Sequence, residues 1–256
     1  MSKKLNFVCG AILLCINTLY AQTAPAPAKP KLFYIHEDPV YAAKVSDFEK
    51  VSKELIDQYK KYSIPDSWIT IKDQDNKYYT IVPIENMASL DHDPMAPLVE
   101  KMGKDAFRDI FKAFDQCYPS HRDYIVRWSN SLSYMPGGEN EKPSDFPYRK
   151  YYYIYYKPEN QSKVGEVAKK MKDLNVSKGG KLRYNAYISG FGNSENFLLI
   201  EEVAKSEDDY KTLDAYDKKM MGDEVNKLLA ELKGVSIRME TKLATVRPDL
   251  SYSLVK

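Results

Sequence analysis

The chain has 256 residues, 43% of them hydrophobic and 29% charged, with a formal net charge of +2. It is too apolar and too evenly charged for a disordered chain, and too polar for a membrane bundle. Only 11 glycines and 14 prolines exclude a collagen-like or low-complexity sequence, while 21 tyrosines dominate the aromatic content.

The N-terminus reads as an export signal. Lys3 and Lys4 precede an apolar run over 7–16, and Ala21 offers a small residue for cleavage before Gln22. A run of 10 apolar residues falls well short of the roughly 20 that span a bilayer. Residues 1–21 are therefore predicted to be a cleaved signal peptide with no stable membrane span, which sends the protein to the periplasm or outside the cell. Cleavage removes two lysines and no acid, leaving 36 basic and 36 acidic residues. That balance predicts no nucleic-acid partner. Cys9 and Cys15 leave with the signal, so Cys117 stays alone and no internal disulfide is expected. Residues 22–31 (QTAPAPAKPK) form an Ala/Pro tether.

Beyond the tether the chain repeats itself. At an offset of 118 to 119, Pro39, Lys44, Val45, Lys50 and Leu55 match Pro158, Lys163, Val164, Lys169 and Leu174. Met102-Gly103 matches Met221-Gly222, and Leu132-Ser133-Tyr134 matches Leu250-Ser251-Tyr252. The boundaries are repeat 1 over 32–134, a Pro/Gly-rich linker over 135–148 and repeat 2 over 149–252. In repeat 1 a strand over 32–36 leads to a helix marked by Val45, Phe48, Val51, Leu55 and Tyr59 at helical spacing. Strands over 68–72 and 78–82 flank the turn 73–76, a second helix carries Phe107, Ile110, Phe111 and Phe114, and a last strand runs over 123–129. Repeat 2 follows with strands over 151–156, 183–189, 196–200 and 235–244 around helices marked by Val164, Val167, Met171, Leu174 and by Val225, Leu228, Leu229, Leu232. The order β-α-β-β-α-β defines a ferredoxin-like unit, so the fold class is α+β with two tandem units.

The turn residues His36-Glu37-Asp38-Pro39 and Tyr156-Lys157-Pro158, with the Met-Gly pair before each second helix, make the chain resemble the dimeric α+β barrel superfamily. It is similar to the antibiotic-biosynthesis-monooxygenase-like and NIPSNAP-like groups, here as a tandem single chain. The resemblance implies two sheets packed face to face as a pseudo-dimeric barrel with helices outside. It also implies that cofactor-free monooxygenases of this kind hold a polycyclic substrate among polar and aromatic side chains, and that haem-binding relatives use a barrel histidine. Strands buried on both faces are apolar throughout instead of alternating, as 32–35 and 151–156 are. The tyrosines then serve either as a polar-tipped core or as the lining of a cavity.

The chemistry-bearing residues are few. His36 ends the first strand, where an inward-facing residue meets the barrel mouth, and Tyr155 is its counterpart in the second repeat. His92 sits in a loop between Asp91 and Asp93, and His121 follows Pro119 before a strand. Val40 stands where a zinc-protease pattern needs a second histidine, and Lys77 and Tyr78 break a calcium loop begun by Asp73 and Asp75. No histidine has a ligand partner at suitable spacing, so no metal or other cofactor is expected. Cys117 continues the apolar side of the second helix and reads as a buried thiol. Arg127 beside Trp128 on a late strand, with Trp68, suggests a buried arginine against aromatic rings that could hold an anionic or planar ligand. The ligand-binding candidates are thus His36, Trp68, Arg127, Trp128 and Tyr155. The sequence predicts an exported barrel without an evident catalytic constellation, binding a small hydrophobic or aromatic ligand or a protein partner, as a monomer or weak homodimer. The alternative is an oxygenase-like or haem-dependent enzyme with its site in the first repeat.

Overall fold

A computed structural model describes residues 31–138 and 143–254. The predicted signal peptide and the tether up to residue 30 lie outside the described residues, as do 139–142 of the linker. Among the described residues, no helix is long and apolar enough to cross a membrane.

The first unit runs β1 (Leu32–Pro39), α1 (Val45–Tyr62), β2 (Ser67–Asp73), β3 (Lys77–Ile84), α2 (Ala96–Met102), α3 (Lys104–Asp115) and β4 (Arg122–Trp128). The second runs β5 (Tyr148–Tyr155), α4 (Gln161–Lys178), β6 (Arg183–Ser189), β7 (Phe197–Ala204), α5 (Glu207–Met221), α6 (Asp223–Val235) and β8 (Arg238–Val246). A two-residue strand, β9 (Tyr252–Ser253), then pairs with the start of β2. Each predicted second helix is preceded by another, joined at the Met-Gly pair. Gly103 (φ 87°) and Gly222 (φ 55°) hold the junctions in a backbone region that side chains disfavour.

Within each unit the strand order is β4-β1-β3-β2 or β8-β5-β7-β6, and every pairing is antiparallel. Pairings of β4 with β6 and of β2 with β8 join the two sheets, so eight strands close a barrel. Closure removes the free sheet edges that would otherwise invite a second chain. Inside, Ile35, Ile71, Tyr79, Tyr124, Val126, Tyr151, Phe197 and Leu199 form one buried cluster. Outside, helices cover both sheets. Over the second sheet the packing divides into a large cluster of Ile154, Tyr156, Val164, Val167, Leu198 and Leu232 and a small one of Leu182, Ala204 and Tyr210. Under α1–α3 the packing splits into two clusters, one around Phe48, Tyr78 and Phe114 and one around Ile56, Tyr59 and Leu98. Residues of both first-unit clusters line a cleft.

One ion-pair cluster ties the units together. Glu49 on α1 accepts hydrogen bonds from Arg247, which follows β8, from the Tyr78 hydroxyl at 2.6 Å and from Lys72 at 3.3 Å. Arg247 first, against the smaller opposing effect of burial, holds the Glu49 carboxyl at about 2, below its ordinary 4.5. A depressed acid stabilises the fold above its unfolded pKa and loses that contribution as pH falls through the folded value. The expected result is that Glu49→Gln has a shallower loss of stability than the parent between about pH 4.5 and 2, measured by urea unfolding across that range. Parallel curves would remove Glu49 from the acid response.

Candidate functional site

Strand alternation sends Phe33 and Ile35 of β1 into the barrel and Tyr34, His36 and Asp38 toward the helices. His36 therefore faces the helix layer and not the barrel mouth expected from the sequence. The cleft it borders holds about 550 Å³. Its sheet wall is formed by Tyr34, His36, Thr80 and Val82, its helix wall by Phe48, Leu55, Tyr59, Phe111 and Phe114, and its loop rim by Leu90, His92 and Met95. Trp68 also lines it, with its indole N–H donating to the Leu250 carbonyl at 3.0 Å.

Charged groups gather at one end. The β1–β4 register places Asp123 opposite His36. Asp123 Oδ1 accepts from the Tyr34 hydroxyl at 2.5 Å and from His36 Nδ1–H at 2.7 Å. On the other side of the ring, Nε2 lies 3.1 Å from Asp38 Oδ1. That oxygen is buried and has no hydrogen-bond partner, so the close approach is an ion pair without hydrogen-bond alignment. His121, two residues before Asp123, brings its ring to 5.1 Å from that of His36. Burial pulls the His36 imidazolium down, but Asp38 and then Asp123 outweigh it and hold its pKa at about 9. Burial likewise raises the Asp123 carboxyl, and hydrogen bonds from Tyr34 and His36 overcome that and lower it.

The remaining predicted residues go elsewhere. Trp128 and Tyr155 turn into the barrel: Trp128 lines an interior cavity of about 270 Å³, and Tyr155 packs on Phe197 at the opposite end. Tyr155 is also not the counterpart of His36. β1 and β5 start at 32 and 148, and β2 and β6 at 67 and 183, a common spacing of 116, which pairs His36 with Tyr152 on the same face. Arg127 is exposed on the helix side of β4, and so is not the buried arginine that the sequence suggested.

The buried arginine is Arg149, which the sequence reading missed. Its Nε donates to Glu201 Oε1 at 2.9 Å inside the barrel, with side chains 5% and 8% exposed. Tyr151 donates to the same oxygen at 3.1 Å, while Asn185 and Tyr187 donate to Oε2 at 3.0 Å each. Trp128 Nε1–H donates to Asn185 Oδ1 at 3.0 Å. Tyr79, Tyr124, Tyr151, Tyr153 and Tyr187 all line this cavity, so phenols serve as both core and lining. At the far end Glu37 is held by Lys77 at 2.8 Å and Arg122 at 2.7 Å.

No family model and no curated protein matches the sequence. Solved structures do match. A monooxygenase-like protein of Lactobacillus acidophilus aligns at 12% identity over 88% of this chain and 97% of its own, with a TM-score of 0.52. An anthrone oxidase-like protein aligns at 10% identity over 88% and 94%, with a TM-score of 0.58. A monooxygenase-like protein of Fusobacterium nucleatum aligns at 14% identity over 88% and 99%, with a TM-score of 0.51. Likeness at such low identity speaks for architecture and leaves activity to the site. With two β-α-β-β-α-β units closing one eight-stranded antiparallel barrel, the chain has the dimeric α+β-barrel fold within a single polypeptide.

Proposed function

We propose that this protein is an exported, monomeric barrel that binds a small, largely apolar aromatic molecule carrying one oxygen function in the cleft of its first unit. The observation that carries the reading is the cleft itself: about 550 Å³ of mostly apolar walls ending on the Tyr34–His36–Asp123 network. That is the size and polarity of small-molecule sites, where apolar walls take the ring and a few polar groups fix its orientation. With its pKa near 9, His36 is an imidazolium at neutral pH. It supplies positive charge to a phenol or enol oxygen lying against it. Export rests on the lysines and apolar run of residues 1–21, and the monomer rests on a barrel that one chain closes.

A second reading, an oxygenase-like enzyme acting on the bound ring, is favoured by the architectural likeness to two monooxygenase-like proteins and an anthrone oxidase-like protein. A ring oxygen stabilised as an oxyanion by His36 is electron-rich, the state that attack on oxygen requires. A haem does not fit on His36. Both ring nitrogens face carboxylate oxygens, at 2.7 and 3.1 Å, and a macrocycle on either would displace Asp123 or Asp38.

The two tryptophans make a direct test, since Trp68 lines the cleft and Trp128 the barrel interior. Titration with 1-naphthol is expected to quench fluorescence in Trp128→Phe, which keeps Trp68, and not in Trp68→Phe. Naphthalene, with no oxygen to meet the charged Tyr34–His36–Asp123 network, is expected to bind about 10- to 100-fold more weakly. Quenching confined to Trp128, or none, would sink the reading.

A further inference from the structure

We infer that His36, Asp38 and His121 form a binding site for a single divalent transition-metal ion of the zinc or ferrous class, at the end of the cleft. The three residues offer two imidazole nitrogens and one carboxylate oxygen, all within 4.8 Å of one another. Two imidazoles and one carboxylate suit such ions and leave coordination positions open.

Three details fit an ion and not merely a polar surface. First, Asp38 is 6% exposed and its Oδ1 has no aligned hydrogen-bond donor, so a buried acceptor is left without a hydrogen bond. Second, His36 Nε2 stands 3.1 Å from that oxygen without hydrogen-bond alignment. Two ligands on an ion with bonds of about 2.1 Å are about 3.0 Å apart at the octahedral right angle and about 3.4 Å apart at the tetrahedral angle, a range that includes this separation. Third, His36 Nδ1 lies 2.7 Å from Asp123 Oδ1, so when an ion displaces the other ring proton the hydrogen stays on Nδ1 and Nε2 is the ligating atom. A carboxylate holding the far nitrogen of a ligating imidazole is the usual support of such a site. His121 is exposed and precedes β4, so its side chain is free to complete the set. In the absence of an ion, the Nε2 side of the His36 ring faces Asp38 directly, and an ion would come between them.

His36, Asp38 and Asp123 line the cleft, so the open positions of the ion face the bound molecule. Asp123 is then a positioning residue. The metal inference is independent of what occupies the cleft.

The test is titration of the chelator-treated full chain with Zn(II) by calorimetry and with Co(II) by visible absorption. The expected result is one saturable ion per chain with micromolar affinity or tighter. Asp123→Asn is expected to weaken it about 10- to 100-fold, the usual effect of losing an imidazole's supporting carboxylate. His121→Ala, an exposed position that leaves the fold intact, is expected to weaken it by at least about tenfold. His92→Ala, at the cleft rim, is expected to leave it unchanged. The absence of saturable binding, or binding equal in parent and His121→Ala, overturns the inference. Repeating the 1-naphthol titration on the chelator-treated protein reads failure of the metal site and failure of the aromatic cleft separately.

Discussion

Replacing Arg149 by Met is expected to lower stability by about 3–5 kcal/mol, the cost of stripping a buried carboxylate of its cationic partner. In a folded region of this size that is a fall of roughly 6–20 °C in Tm. The effect is large because Glu201 is only 6% exposed. Its two oxygens are already taken by Arg149, Tyr151, Asn185 and Tyr187 inside a closed barrel. Removing the guanidinium also leaves the Phe146 and Tyr148 carbonyls without the donor they share. Adding Glu201→Gln to the same variant is expected to restore part of the loss, because the amide keeps an acceptor for Asn185 and Tyr187 while the uncompensated charge disappears. Urea unfolding of the parent, both single variants and the double variant gives the coupling directly. An Arg149→Met protein within about 1 kcal/mol of the parent would show that the pair contributes only as an exposed one does.

Two neighbouring residues separate the cavities. Ile81 and Val82 are adjacent on β3, yet Ile81 lines the barrel interior and Val82 lines the cleft. Val82→Trp places an indole in the cleft and is expected to abolish 1-naphthol binding, a loss of at least about 100-fold, equal to roughly 2.8 kcal/mol. Ile81→Trp puts the same bulk one residue away. It is expected to leave naphthol affinity within about twofold, while straining the interior by about 1–3 kcal/mol. Calorimetry reads the affinity and urea unfolding reads the strain. If Ile81→Trp is the variant that loses binding, the ligand occupies the barrel and not the cleft.

The order of elements was legible because each carries local information: helical spacing in Val45 to Tyr59, a polar turn at 73–76, and strands apolar on both faces. That last feature also concealed the site. In LFYIHEDP an acid ends each face, Glu37 after Phe33 and Ile35 and Asp38 after Tyr34 and His36, and a reading one residue out exchanges the faces. The partners of His36 were hidden for a related reason. Asp38 is two residues along the same face, but Asp123 and His121 reach it only through the β1–β4 register. Arg149 and Glu201 were missed because the strands are longer than their apolar runs. β5 begins at Tyr148 and β7 continues to Ala204, so both charged residues sit just beyond the predicted ends of 151–156 and 196–200. A buried charge at a strand end looks, in sequence, like the start of a loop.

The chain closes its barrel from two units of like topology that are not alike in content. By register, Ile35 faces Ile81 where Tyr151 faces Glu201, and His36 faces Asp123 where Tyr152 faces Thr241. Two identical subunits would repeat each arrangement about a two-fold axis. The interior would then hold the arginine–glutamate pair twice or not at all, and two imidazole clusters would be obligatory or none. A covalent connection lifts that symmetry, so that a substitution acts on one side alone. One half of the barrel can then keep its packed helix layer and buried ion pair, while the other specialises in a cleft.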